Sequence, residues 1–442
     1  MLRRLRLFFS PPHTVPRSQL YASSVFISSL GRGLWVPFAL LYFHLVAGLP
    51  LPLIGLGLTI GGLWGMAFTP LAGVLVDRLG ARRLLVGAQI ASGVCMLAFL
   101  FVHSFIMFLV VEMLLATAQA AQDPAFSSLV AELFPPEDRD WWFGFNRAAS
   151  NLGIGLGGLL AGAAVSLGGT AIYHGLLASN ALSTIIAGLL LLGLILPARH
   201  ALPQLRKTEG KRERGGYGAV LRDRPFMGFV LIQAVLCLSY MVLEIVLPPY
   251  VLSNLHAPAW GFSMLYTLNT FMVVVVQMPL MRLLMKHKRT RGIGAGGLVF
   301  AFSFLLFLAA LVVPQVLMVP YLIVVMVIYT FGELLLSPSQ VGLSMALAPE
   351  EQRGRYMAVS GLGYGLSGAL APVLFTSLLT LGPLFLWLPL TALIGGTACL
   401  TFVLERHLPA DALQALPQEV EIMVQEEVLQ EEAHVGELIG RK

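Results

Sequence analysis

Long apolar runs separated by short polar breaks dominate the chain. Cutting at charged, Pro-Gly or Asn-rich breaks gives twelve segments long enough to span a bilayer, which takes about 20 mainly apolar residues. They cover 19–46, 51–76, 84–102, 105–131, 141–167, 171–196, 226–253, 259–285, 293–313, 317–346, 354–380 and 384–404. Stretches such as 185–196 are continuously apolar, without the alternation a barrel strand requires, so the spans are read as helices.

The polar breaks test this count. Of 28 Lys and Arg residues, all but Arg32 fall in the termini, in the loops after helices 2, 4, 6, 8 and 10, or at the edges of those loops. The loops after helices 1, 3, 5, 7, 9 and 11 carry none, and a miscounted helix would scramble that alternation. By the positive-inside rule both termini are expected in the cytoplasm, in a multi-pass protein of the plasma (inner) membrane.

The one long polar linker, 198–224, is basic and separates two sets of six helices. The expected organisation is a cytoplasmic N-terminus (1–18), a first six-helix bundle (19–197), the linker, a second bundle (225–406) and an acidic cytoplasmic tail (407–442). A shift of 214 residues aligns Pro124 with Pro338, Leu129 with Leu343, Leu133 with Leu347, Pro135 with Pro349, Glu137 with Glu351 and Arg139 with Arg353. These matches sit at the same end of the fourth helix of each half, as a parallel internal repeat would place them.

Composition removes several classes of function. Hydrophobic residues make up 57% and charged residues 12%, against about 25% charged in soluble domains, so a soluble reading is excluded. Cys95, Cys237 and Cys399 each lie within an apolar run and imply no disulfide framework. Arg3, Arg4 and Arg6 are followed by Pro11, Pro12 and Pro16 before any apolar core, so no cleaved leader is expected. No phosphate loop, metal-site spacing or nucleophile motif occurs. The chain is therefore read as a non-enzyme without cofactor or metal, without nucleic-acid partners and as a monomer, drawing on a gradient rather than on ATP.

The stretch Gly73-Val-Leu-Val-Asp77-Arg78-Leu-Gly80-Ala81-Arg82-Arg83 resembles the signature loop between helices 2 and 3 of the major facilitator superfamily. Glu112 to Pro124 keeps the spacing of that family's fourth-helix motif, with Glu112 where an arginine is usual. The segment 149–158, with Gly153, Gly157 and Gly158, resembles the glycine-rich fifth-helix motif of drug-proton antiporters, its customary proline replaced by Ile154. Gly332-Glu333 to Ser337-Pro338 completes the resemblance, which covers residues 17 to 406.

That resemblance implies an all-α integral membrane fold of twelve transmembrane helices in two pseudo-twofold-related bundles, working by alternating access. It further implies proton-coupled efflux of amphipathic drug-like compounds. The alternatives are a proton-coupled nutrient symporter and a lipid-handling or receptor protein without ion coupling. Asp77 would latch the loop against the second bundle, Gly73 and Gly80 would permit close approach, and Asp123 matches the acid of a charge relay. The basic partner position of that relay is Ala81, so either Arg82 substitutes or the relay is weakened.

Deep charges are costly in a bilayer and are functional candidates by default. They are Arg32, Glu112, Glu244 and Glu333, on helices 1, 4, 7 and 10, which line the central cavity in this family. Arg32 lies about twelve residues from the cytoplasmic start of helix 1 and Glu112 about seven from the outer start of helix 4, so at ~1.5 Å per residue both fall in the outer half of the membrane at comparable depth and are expected to pair. Glu244 and Glu333 have no cationic partner in their own half, the setting in which a carboxyl exchanges protons reversibly; Glu333 is the preferred carrier. Trp35, Phe38, Tyr42, Gln119, Tyr240 and Phe331 are the candidate wall of an apolar, aromatic cavity.

Overall fold

The computed structural model describes residues 18–135, 138–194, 217–284, 287–349 and 352–413. The N-terminal 17 residues, most of the linker and the acidic tail beyond residue 413 lie outside the described residues, as do Glu137 and Glu351 of the repeat. The twelve spans are α1 (Ser18–Val46), α2 (Leu51–Leu79), α3 (Ala81–Phe101), α4 (Phe105–Leu133), α5 (Trp141–Val165), α6 (Thr170–Leu192), α7 (Arg224–Asn254), α8 (Ala259–Leu284), α9 (Arg289–Val312), α10 (Gln315–Leu347), α11 (Arg353–Leu381) and α12 (Pro383–His407). No end differs from the sequence expectation by more than four residues. The loops containing Lys and Arg share one end of the molecule, here the basic face; the other end is the far face.

Prolines shape the helices that matter most. In α1 the regular helix stops at Trp35, passes through a 3-10 turn containing Pro37, and ends in a π-helical turn, Tyr42–Val46. The α7 helix repeats the device with Pro248 and Pro249 and two π-helical turns, Val242–Val246 and Tyr250–Asn254. Proline removes a backbone donor and crowds the preceding turn, and π turns of this kind gather at functional positions. In α4, Pro124 breaks the helix at Ala121.

Backbone geometry reveals a repeat that the side-chain matches missed. Tyr42 donates its hydroxyl to the Phe99 carbonyl at 3.2 Å, and Tyr250 donates to the Phe307 carbonyl at 2.7 Å. The Leu49 amide meets the Phe43 carbonyl just as the Ala257 amide meets that of Val251. Each of these pairs is related by one shift of 208 residues. Both bundles thus tie the far end of their first helix to the end of their third.

Within the first bundle α1 packs on α5 and α6; within the second α9 packs on α10 and α12. The bundles meet through α2 against α11 and α5 against α8. Without a hydrophobic force between helices in lipid, such seams depend on small residues that admit a neighbouring backbone. Gly55 faces Pro372 and Thr376, Gly62 faces Ala369, Gly158 faces Tyr266 and Gly162 faces Ser263. Thr59 accepts the Val373 amide at 3.2 Å, and Thr267 donates to the Gly155 carbonyl at 3.3 Å. These contacts fall in the half of the molecule nearer the far face, where Phe38 of α1 also packs edge-on against Phe262 of α8.

Gly162→Val tests whether this seam is a gate. An added Cβ would collide with Ser263 and lie 3.3 Å from the Ala259 carbonyl, so the closed far face becomes the disfavoured state. In a background lacking the native cysteines, Phe38→Cys should react roughly tenfold faster with a membrane-impermeant maleimide when Gly162→Val is added, a shift of about 1.4 kcal/mol in the closing equilibrium.

Candidate functional site

A cavity of about 670 Å³, lined mainly by the first bundle, reaches from Leu40, Phe43 and Phe99 in the half nearer the far face down toward the basic face. At intermediate depth lie Arg32, Trp35, Glu112 and Glu244; toward the basic face lie Tyr21, Leu85, Asp123 and Leu191. Arg32 and Glu244 are well inside the span yet remain exposed, because they face this cavity. Glu244 sits in the Val242–Val246 π turn, so the proline-broken segment of α7 presents a charged side chain to the cavity.

Arg32 and Glu112 do not form the expected ion pair. Glu112 is directed at α2, where a Cβ added to Gly61 would lie 2.6 Å from Glu112 Cγ and 3.0 Å from Oε1. It also acts electrostatically on Cys95 of α3. The Arg32 charge acts instead on Glu244, across the bundle boundary. Depth alone matched Arg32 with Glu112; rotation about the helix axes separates them.

Glu333 accepts a hydrogen bond from Asn269 Nδ2 at 2.8 Å, and the same amide donates to Thr330 at 3.1 Å. The charges of Glu244 and of Arg147 on α5 also act on Glu333. Neither Arg147 nor Asn269 stands out in the sequence. Arg147 reads there as an edge residue of a basic loop, although at six residues into α5 it lies about 9 Å along the helix.

The aromatic wall is only partly realised. Trp35 and Gln119 line the cavity. Phe38, fully buried, belongs to the inter-bundle seam, and Tyr42 is committed to the Phe99 carbonyl. Tyr240 donates to Gln340 inside the second bundle, and Phe331 is exposed but is not among the cavity residues. The lining is also more polar than expected, with Ser24, Ser28, Gln89, Asn146, Asn180 and Thr184 contributing. The cause is that small hydroxyl and amide residues on packed helix faces escape a hydropathy reading.

The signature loop is in an open arrangement. Asp77 and Arg78 are exposed, and Asp77 has no ion pair or side-chain hydrogen bond among the described residues. Nothing approaches the Cβ position of Gly73. Gly80 has φ +84° and ends α2, a conformation that favours glycine. Ala81 is fully buried, and Arg82 donates to the Leu194 carbonyl at the end of α6, 2.8 Å away. Arg82 therefore does not replace the missing relay base, Arg83 is exposed, and Asp123 faces the cavity.

Twelve spans in two bundles, with a charged cavity lined mainly by the first bundle and closed by α7 and α11 of the second, fit a secondary transporter. The sequence profile of the Major Facilitator Superfamily matches residues 21–372 and 229–420, and the chain belongs to that superfamily. It is 25% identical over 381 residues to a Na(+), Li(+), K(+)/H(+) antiporter of Planococcus maritimus, covering 78% of this chain and 85% of the relative. It is also 25% identical over 345 residues to the multidrug resistance protein MdtH of Cronobacter sakazakii, covering 76% and 81%. Among solved structures, the nucleoside transporter NupG superposes with a TM-score of 0.67 at 14% identity, covering 88% of this chain and 98% of that one. The xylose transporter XylE from E. coli superposes with a TM-score of 0.65 at 15% identity, covering 89% and 96%.

Proposed function

We propose that this transporter is a proton-coupled antiporter of the inner membrane that exports amphipathic cations, with both termini cytoplasmic. The observation that carries this reading is the charge of the cavity: Glu112, Asp123 and Glu244 face it against the single cation Arg32 among its lining residues. Trp35, Phe43 and Phe99 add aromatic surface beside those carboxylates, and a cation over an aromatic face gains further attraction. The distant relatives named as a cation/H(+) antiporter and as a multidrug resistance protein agree with this direction.

On the positive-inside assignment the basic face is cytoplasmic. The structure then corresponds to an inward-facing state, the far-face seam closed and the signature loop released. Asp77 would latch that loop when the cytoplasmic side closes. Arg32 and Glu244, which belong to different bundles, both face the cavity, and their attraction changes as the bundles rock. Glu333, held by Asn269, is the carboxyl that exchanges protons.

A second reading, uptake of a polar solute with protons, draws on the hydroxyl and amide groups of the lining. Ethidium loss from cells expressing the chain separates the two. Export predicts energised loss that a protonophore abolishes; retention of ethidium together with accumulation of a polar nutrient would favour uptake.

A further inference from the structure

Buried polar side chains form a file through the second bundle, outside the main cavity. At the basic face Tyr356 of α11 donates its hydroxyl to Asp223 Oδ2 at 2.9 Å, while Asp223 Oδ1 caps α7 at the Phe226 amide. One turn along α11, Ser360 donates to Gln233 of α7 at 2.7 Å and shares a 3.0 Å hydrogen bond with Ser344 of α10. One turn along α10, Gln340 Oε1 accepts from Tyr240 at 3.4 Å and lies 3.8 Å from Cys237 Sγ. Glu333, which Asn269 holds, stands two turns before Gln340 on α10.

Neither Glu333 nor any member of this file lines the cavity. Ser344, Ser360 and Gln340 are at most 3% exposed, and Gln340 Nε2 is buried with no hydrogen-bond partner among the described residues. Polar groups so deep in an apolar bundle are retained at a cost unless they are satisfied or used.

We propose that this file carries protons between Glu333 and the basic face by a path separate from that of the substrate. The proposal rests on the reading of Glu333 as the coupling carboxyl. The hydroxyls of Tyr240, Ser344, Ser360 and Tyr356 each donate and accept. Three gaps interrupt the file. Glu333 to Gln340 spans two turns of α10, about 10 Å, and needs more than one water. Gln340 to Ser344 and Ser360 to Tyr356 are each one helical turn, about 5–6 Å between Cβ atoms. One water making two hydrogen bonds of about 2.8 Å spans such a gap. The unmet Gln340 donor is a holding point for that water. Each relay oxygen gains one proton and releases its own, so the O–H bond broken at Glu333 is balanced by one proton delivered to solvent beside Asp223. Gln233 and Gln340 carry no proton and act as positioning residues.

The groups that act on Glu333 are Asn269 and Tyr266 on α8, Arg147 on α5, Glu244 and Tyr240 on α7, Tyr329 on α10 and Tyr364 on α11. Arg147 is the cation among them, so a proton leaving Glu333 leaves a carboxylate with a compensating charge in reach. Export of a cation through the cavity then need not wait for the proton to share its route.

The test uses the full-length protein in nanodiscs and a rapid pH jump read by time-resolved infrared spectroscopy, which needs no substrate. The Glu333 carboxyl band is assigned by its loss in Glu333→Gln. Ser360→Ala and Gln340→Leu should slow that band at least tenfold with unchanged final amplitude, and Ser360→Thr, which keeps the hydroxyl, should restore the rate. Equal rates in wild type, Ser360→Ala and Gln340→Leu would overturn the proposal and place proton access through the cavity. A Glu333→Gln spectrum identical to wild type would instead remove the coupling role of Glu333, and the file's role with it.

Discussion

Glu333→Gln is expected to abolish proton-driven transport, by about two orders of magnitude in proteoliposomes, while exchange of substrate across the membrane without a proton gradient persists. Glutamine keeps the size of the side chain and an oxygen able to accept from Asn269 Nδ2, now 2.8 Å from Glu333 Oε2. It removes only the titrating group. Glu244 should respond differently, because it shares its field with Arg32 and faces the cavity. Glu244→Gln is expected to disturb cargo affinity and the contact between bundles more than proton coupling. Initial rates of substrate counterflow and of proton-driven flux, measured on the same vesicles, separate the two effects.

Gly157→Val should cause a larger loss of folded protein than either glutamate substitution or Gly162→Val. A Cβ at Gly157 would collide with the Leu30 carbonyl and approach the Leu34 nitrogen to 2.8 Å and the Gly33 carbonyl carbon to 2.9 Å. From the other side, a Cβ on Gly33 would lie 2.8 Å from Ile154 Cα. All these atoms are backbone, so no side chain can turn away, and the α1–α5 pair would have to separate. Overpacking of close-packed interiors costs about 1–3 kcal/mol, and more where backbone must shift. Gly144→Val, in the same helix with open space at its Cβ position, is the control and should leave the thermal transition in detergent nearly unchanged.

Hydropathy and the alternation of basic loops locate every helix in the amino-acid order, because a bilayer demands length and apolarity and the sidedness of charge leaves a regular mark. Depth along a helix is equally readable, which is why Arg32 and Glu244 stand out in the sequence alone. Rotation about a helix axis is not. Arg32 and Glu112 share a level but face different neighbours, and Phe38 and Tyr42, expected in the cavity wall, are spent on packing and on a backbone carbonyl.

The polar file of the second bundle is illegible for another reason. Ser344, Ser360, Gln233 and Gln340 are uncharged residues spread over three helices, and only the fold brings them within hydrogen-bond reach. Arg147 is hidden by its nearness to a basic loop. The π turns of α1 and α7 have a local signal in Pro37, Pro248 and Pro249, whose meaning emerges from the matched Tyr42 and Tyr250 hydroxyls.

In this mechanism protons and an amphipathic cation move in opposite directions through one protein. Everted vesicles with an imposed, inside-acidic pH gradient, followed by a fluorescent pH probe, test it most directly. Adding ethidium should release protons from vesicles carrying the wild-type chain and should do nothing with Glu333→Gln. An unchanged gradient in wild-type vesicles that nevertheless accumulate ethidium would contradict proton antiport.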